Sequence, residues 1–136
     1  MHESSIALSL LSEVEDVARV ASRRVKRVEI IVGALNVVDV DALVAAFKAA
    51  ARDLNPVMEV EVRREPARLR CRRCGHEWVM SPEDVERMVK GNPRLSTLLH
   101  LDADSALPYI RCPVCGAGDV EALSGARIRV GRVELA

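Results

Sequence analysis

Cys71-Arg72-Arg73-Cys74-Gly75 and Cys112-Pro113-Val114-Cys115-Gly116 decide how this chain is read. The two stretches hold all four of its cysteines. A C-x-x-C turn aims two thiolates at one point, and two such turns supply a tetrahedral four-sulfur set, the usual closed structural zinc site. Glycine after each pair permits a positive φ, so the backbone can curl and turn N–H groups toward the sulfurs. Cys71, Cys74, Cys112 and Cys115 are therefore the expected zinc ligands, and a set with no open position folds the protein rather than catalysing. The metal would tie the ends of the intervening segment together. Residues 70–116 are accordingly expected to form a zinc-ribbon-like domain inserted into a larger unit, residues 1–69 and 117–136.

Disulfides would require an oxidising compartment, and no signal-peptide pattern points to one. A redox C-x-x-C needs a single pair on a thioredoxin-like helix, not two matched turns. Length allows one ordinary domain, or a small domain with a mini-module, in 136 residues. The 20 basic and 20 acidic side chains cancel, which argues against a general nucleic-acid or membrane-surface binder. One Trp, one Tyr and one Phe make no base-stacking platform. No apolar run approaches a membrane span. A cytoplasmic chain is expected. Glutamine is absent while Glu, Arg and Val are frequent, a composition similar to that of thermophiles.

Outward from the knuckles, apolar residues at Ile6, Ala7, Leu10, Leu11, Val14, Val17, Ala18 and Ala21 have helical spacing and predict a helix over about 4–23. Lys26–Leu35 alternates as a strand, with Val28, Ile30 and Val32 on one face. Asp39 or Asp41 can cap a second helix carrying Leu43, Val44 and Phe47, and Asn55-Pro56 ends it. Met58, Val60 and Val62 mark a second strand, parallel to the first if the crossover obeys the usual handedness. Ala126–Leu135 reads as a third strand with a phase shift at Gly131. The fold class is thus a small α/β (α+β) unit of order αβαββ, with two helices on a three-stranded mixed sheet and the four-cysteine domain inserted. Two helices cover one sheet face and leave the other exposed or available for association. Within the insert, Ser81-Pro82-Glu83-Asp84 starts a helix, Asn92-Pro93 interrupts it, and Leu95–Leu101 forms a second helical turn.

The chain begins Met1-His2-Glu3. Histidine is not small, so aminopeptidase removal of Met1 is not expected. The α-amine, the His2 backbone nitrogen and the His2 imidazole can then close fused chelate rings on one ion, with Glu3 adding an amide nitrogen or a carboxylate. Such a nitrogen-rich set suits Ni(II) or Cu(II) rather than Mg or Ca.

The start Met1-His2-Glu3-Ser4-Ser5-Ile6-Ala7, the small αβαβ unit, and C-x-x-C-G with C-P-x-C-G near the end together resemble the HypA/HybF family of hydrogenase-maturation nickel metallochaperones. The likeness covers essentially the whole chain. It implies Ni(II) as a transient cargo bound by Met1, His2 and Glu3, and a structural Zn(II) held by Cys71, Cys74, Cys112 and Cys115. It also implies two partners, the nickel-loading GTPase of the maturation system and the [NiFe]-hydrogenase large subunit. The spacing between knuckles is longer than in the compact bacterial pattern and is similar to the enlarged archaeal form, which leaves the role of Ser81–Leu107 open.

His76 follows the first knuckle and reads as a surface or supporting group. His100, among leucines, reads as a packing residue or as a further nickel ligand. No nucleophile–base pair or phosphate loop is present, so an enzyme is not expected. The alternative is a zinc-ribbon module that binds nucleic acid or a protein complex, favoured by Arg68, Arg70, Arg72 and Arg73. An enzyme with catalytic zinc would need an open three-ligand site.

Overall fold

The computed structural model describes residues 3–136, so Met1 and His2 lie outside the described residues. In chain order the elements are α1 (Glu3–Ala21), β1 (Val25–Gly33), α2 (Val40–Ala50), β2 (Glu59–Glu65), β3 (Ala67–Cys71), β4 (Glu77–Met80), α3 (Pro82–Lys90), α4 (Pro93–Leu101), α5 (Ala103–Ala106), a 3-10 turn (Leu107–Tyr109), β5 (Val120–Ser124) and β6 (Ile128–Leu135). They form two compact units. The first holds the described residues up to Ile31, with Val38–Arg63 and Ile128–Ala136; the second holds Val32–Val37 and Arg64–Arg127. The second unit thus reaches beyond the expected 70–116 at both ends and also takes in a piece of chain from the end of β1.

In the first unit the sheet order is β2-β1-β6. Ala136 N donates to Arg24 O at 2.8 Å and Gly33 N to Arg127 O at 2.9 Å, which sets β6 antiparallel to β1. Arg27 bonds Glu59 and Glu61 across to β2, and Ala34 N donates to Glu65 O at 2.8 Å, so β2 runs parallel to β1. The expected αβαββ order and mixed sheet are present. Leu10, Leu11 and Val14 of α1, Val28 and Ile30 of β1, and Leu43 and Phe47 of α2 are buried, as their spacing predicts. Asn55 is the one buried polar side chain named among the described residues; its Nδ2 donates to Val25 O at 2.7 Å and its Oδ1 accepts from Val57 N at 3.0 Å. The turn before β2 is therefore fastened to the start of β1.

The sheet also carries a charged network. Arg27 on β1 pairs with Glu59 (2.6 Å) and Glu61 (2.9 Å) on β2 and lies 3.8 Å from Glu134 on β6, while Arg63 pairs with Glu29 at 3.6 Å. The hydrogen bond that Arg27 donates to Glu59, then the charges of Glu59, Glu61 and Glu134, raise the Arg27 pKa. In β6 the exposed positions fall at Arg129 and Arg132, three apart, so the facing phase changes across Gly131. A Cβ there would meet Glu29 Oε1 and the tip of Ile31, so a larger residue would have to push those two side chains aside.

α1 ends without glycine. Ser22 has φ 52, Arg23 N donates to Ala18 O and Ser22 N to Arg19 O, each at 3.3 Å, the two bonds of a left-handed helix stop. Serine strains there where glycine would not. Ser22→Gly is expected to stabilise the protein by about 1 kcal/mol, and a β-branched Ser22→Val to destabilise it, as read from denaturant midpoints.

Candidate metal centre

In the second unit, β3 is the middle strand of a three-stranded sheet, order β4-β3-β5, antiparallel to both neighbours. Ala67, Leu69 and Cys71 of β3 are buried while Arg68 and Arg70 face out. The inward side packs on Val85 of α3, Leu95 and Leu99 of α4, and Ile110. Ala34 and Leu35, from the segment after β1, join this core. Leu35 N donates to Gly125 O at 2.9 Å, and Asn36 Nδ2 to Ala126 O at 3.3 Å. The helices begin as their sequences predict. Ser81 and Asp84 form a reciprocal capping box on α3, Asp84 N donating to Ser81 Oγ at 3.1 Å and Ser81 N to Asp84 Oδ2 at 2.9 Å. Asn92 caps α4, with Pro93 in its first turn.

The two knuckles repeat each other bond for bond. Gly75 N donates to Cys71 O at 2.8 Å and Gly116 N to Cys112 O at 2.9 Å. Cys71 N then donates to His76 O at 2.9 Å, and Cys112 N to Ala117 O at 3.0 Å. Gly75 and Gly116 have φ 79 and 75, the left-handed backbone expected of them. In each knuckle the first cysteine is buried and the second exposed. Cys71 Sγ lies 3.6 Å from Cys115 Sγ, and Cys74 Sγ 3.6 Å from Cys112 Sγ. All four sulfurs lie within 4.8 Å of one another.

This donor set fits zinc. Four sulfurs about 2.3 Å from a tetrahedral ion are about 3.8 Å apart, close to the spacing already present. The electrostatics also call for a cation. Burial raises the Cys112 thiol, but the Cys115 and Val114 amides and the neighbouring sulfurs outweigh it and bring it down to about 7. Val114 N points at Cys112 Sγ from 3.4 Å. The His76 amide favours the Cys74 thiolate, yet burial and the three other sulfurs push that thiol up to about 12. The Cys74 and Arg73 amides lower Cys71 against its burial. Thiolates this close cannot all ionise until a positive ion pays for their repulsion.

Glu3 opens α1, where its Oε1 accepts from Asp39 N at 3.2 Å, in the first unit. His100 lies exposed on α4, in the second. Met1 and His2 fall outside the described residues. His76 takes no place in the sulfur cluster; its ring stacks on Trp78, centroids 5.7 Å apart and planes 11° from parallel. Of the basic cluster, Arg68 pairs with Glu77 (3.4 Å), Arg70 with Glu121, and Arg72 with Asp119 and Glu121 (3.2 Å each). Arg70, then Arg72, hold the Glu121 carboxyl below its ordinary range. The arginines that favoured a nucleic-acid partner are thus largely committed to carboxylates of their own sheet.

The family model described as "Hydrogenase/urease nickel incorporation, metallochaperone, hypA" matches residues 1–135. The chain belongs to the HypA family. Similar relatives are the hydrogenase maturation factor HypA of Ignicoccus hospitalis, 32% identical over 130 residues (92% of this chain, 89% of the relative), and that of Thermococcus kodakarensis, 28% identical over 137 residues (99% and 96%). The fold is shared with the solution structure of the Ni metallochaperone HypA from Helicobacter pylori, at TM-score 0.64 and 21% identity, covering 99% of this chain and 97% of that one. HypA is a family of nickel-incorporation metallochaperones rather than of catalysts. Among the described residues no helix is long and apolar enough to cross a membrane.

Zinc loading of the metal-free protein at about pH 7 must displace protons, at least the one on Cys74. Thiol protons compete with the ion, so apparent zinc affinity is expected to rise between about pH 6 and pH 8 and to fall on acidification. Chelator competition across that range, and calorimetry in buffers of different ionisation enthalpy, measure both effects.

Proposed function

We propose that this protein carries nickel. It takes Ni(II) as cargo at its N-terminus, through Met1, His2 and Glu3, and passes it to the hydrogenase maturation machinery. Its receivers in this reading are a nickel-loading GTPase and the [NiFe]-hydrogenase large subunit. The observation that carries the proposal is the nickel-incorporation family match, which runs from residue 1 and so includes the Met1-His2-Glu3 start. Zinc at Cys71, Cys74, Cys112 and Cys115 has the separate task of holding the second unit folded.

The chemistry follows from the ligand types. The α-amine, ordinarily titrating near about 8, and the His2 imidazole, near about 6.5, both lose protons when they bind metal. Nickel uptake therefore falls as pH drops, which gives the carrier a way to release its cargo. Nitrogen donors on fused chelate rings favour Ni(II) over hard cations. His100 is proposed as an additional ligand. Its Nδ1 is 2.9 Å from Ser96 O, and a carbonyl only accepts, so Nδ1 is the protonated nitrogen. A neutral ring in that tautomer would carry its lone pair on Nε2, and a backbone carbonyl orienting the other nitrogen is the usual support of a metal-binding histidine.

Calorimetric nickel titration of native-terminus protein should show tight binding that His2→Ala nearly abolishes. An N-terminal extension converts the amine into an amide and is expected to weaken binding strongly; equal affinity with and without the extension refutes the amine-anchored site. His100→Ala is expected to change nickel affinity or its absorption spectrum while zinc content stays constant. An unaltered spectrum returns His100 to a packing role.

A further inference from the structure

The four sulfurs of the cluster are not interchangeable. Cys71 is 0% exposed and Cys112 3%, while Cys74 and Cys115 are open to solvent. The 3.6 Å contacts run from one knuckle to the other, Cys74 Sγ to Cys112 Sγ and Cys115 Sγ to Cys71 Sγ. Each exposed sulfur therefore faces a buried sulfur distant in sequence, 38 positions away for Cys74 and 44 for Cys115. A disulfide needs about 2.05 Å between its sulfurs. A turn of the exposed side chain closes that gap while the buried one stays packed.

We propose that Cys74 and Cys115 are oxidation sites for peroxides, and that Cys112 and Cys71 resolve them, each from the opposite knuckle. This role rests on the zinc reading above. The Cys74 thiolate attacks one oxygen of hydrogen peroxide, the O–O bond breaks, hydroxide leaves, and Cys74 becomes a sulfenic acid. The Cys112 thiolate then attacks Cys74 Sγ, the S–OH bond breaks, and a second hydroxide leaves as the S–S bond forms. Two protons from solvent turn the hydroxides into water. Two sulfurs have lost two electrons, and one peroxide has gained them. Cys115 and Cys71 repeat the sequence with a second peroxide. A disulfide sulfur is no longer a thiolate, so the ion is released as the pairs close. Crossed pairing keeps the constraint that the ion supplied. Bonds spanning 38 and 44 positions restrain the unfolded chain far more than a bond within one C-x-x-C. The oxidised unit therefore stays folded, and reduction returns four thiols in place for reloading.

The test treats reduced, zinc-loaded protein with hydrogen peroxide, alkylates the remaining thiols, and digests with trypsin without reduction. Trypsin cuts after Arg70, Arg72, Arg73 and Arg111, so it parts Cys71 from Cys74 but leaves Cys112 and Cys115 on one peptide. The expected product is that peptide joined to both of the others. Fragmentation beside Pro113 should place Cys112 with Cys74 and Cys115 with Cys71. A chromogenic chelator should record zinc release, and dithiothreitol should restore both thiols and zinc uptake. The oxidised protein should melt well above the reduced, metal-free protein. Bonds from Cys71 to Cys74 or from Cys71 to Cys112 overturn the crossed pairing. Sulfinic acids without disulfides, or zinc and thiols retained in excess peroxide, overturn the oxidation sites. An oxidised Tm no higher than that of the reduced, metal-free protein overturns the retained fold. If the reduced protein takes up no zinc, the zinc reading fails instead, and the disulfide map of the metal-free protein still decides the pairing.

Discussion

Four sulfur atoms within 4.8 Å of one another are the constraint on which the second unit depends. Without a cation the arrangement opposes itself, because a thiol raised to about 12 sits beside one lowered to about 7. With a cation it closes the chain between Cys71 and Cys115. Closing a loop of that length in an unfolded chain costs about 4 kcal/mol of chain entropy, whereas structural zinc at such sites contributes about 10 kcal/mol or more. The surplus can hold a sheet of short strands and three helices around one modest core. It also explains why the knuckles match so closely: each must bring a buried and an exposed sulfur to the same point, and one backbone solution serves both.

The first unit was largely legible in the sequence, because its signals are local. Helical spacing gave α1, alternation gave β1 and β2, and Asp39 and Asn55 stood where a cap and a stop were expected. The cysteine cluster was legible for another reason: metal chemistry restricts both residue type and spacing. What escaped reading needed partners distant in sequence. Ala67, Leu69 and Cys71 alternate with Arg68 and Arg70, a strand pattern, yet the arginines read as a basic patch because Glu121 and Asp119 lie about fifty residues away. Ala34 and Leu35 read as the end of the first strand, and nothing near them announces that they belong to the core of the other unit. The bond that Glu3 accepts from Asp39 escaped for the same reason. The sequence position of Glu3 suggests only metal, and the amide it accepts from is 36 residues on.

The sulfur cluster and the proposed nickel terminus differ in kind. The sulfur cluster is defined by geometry and by ligand chemistry together. The nickel terminus rests on family membership and on the chemistry of Met-His-Glu. Their division of labour is physically sensible. A closed thiolate shell on folded chain retains its ion, whereas a chelate built from a chain end can be assembled and dismantled a ligand at a time, as transfer of cargo requires.

The Arg27 network has a further consequence, for temperature. Its charges run across three strands, from Glu59 and Glu61 through Arg27 to Glu134. Pairs this exposed are weak at room temperature, since water solvates the separated ions almost as well. Heating makes charge hydration less favourable, so the same contacts oppose strand separation more effectively as the surroundings warm. A sliding of β2 or β6 along β1 would also misalign every carboxylate with the single guanidinium they share. The ladder thus fixes strand alignment from the solvent side, most firmly under the conditions in which the backbone has the most thermal freedom to slip.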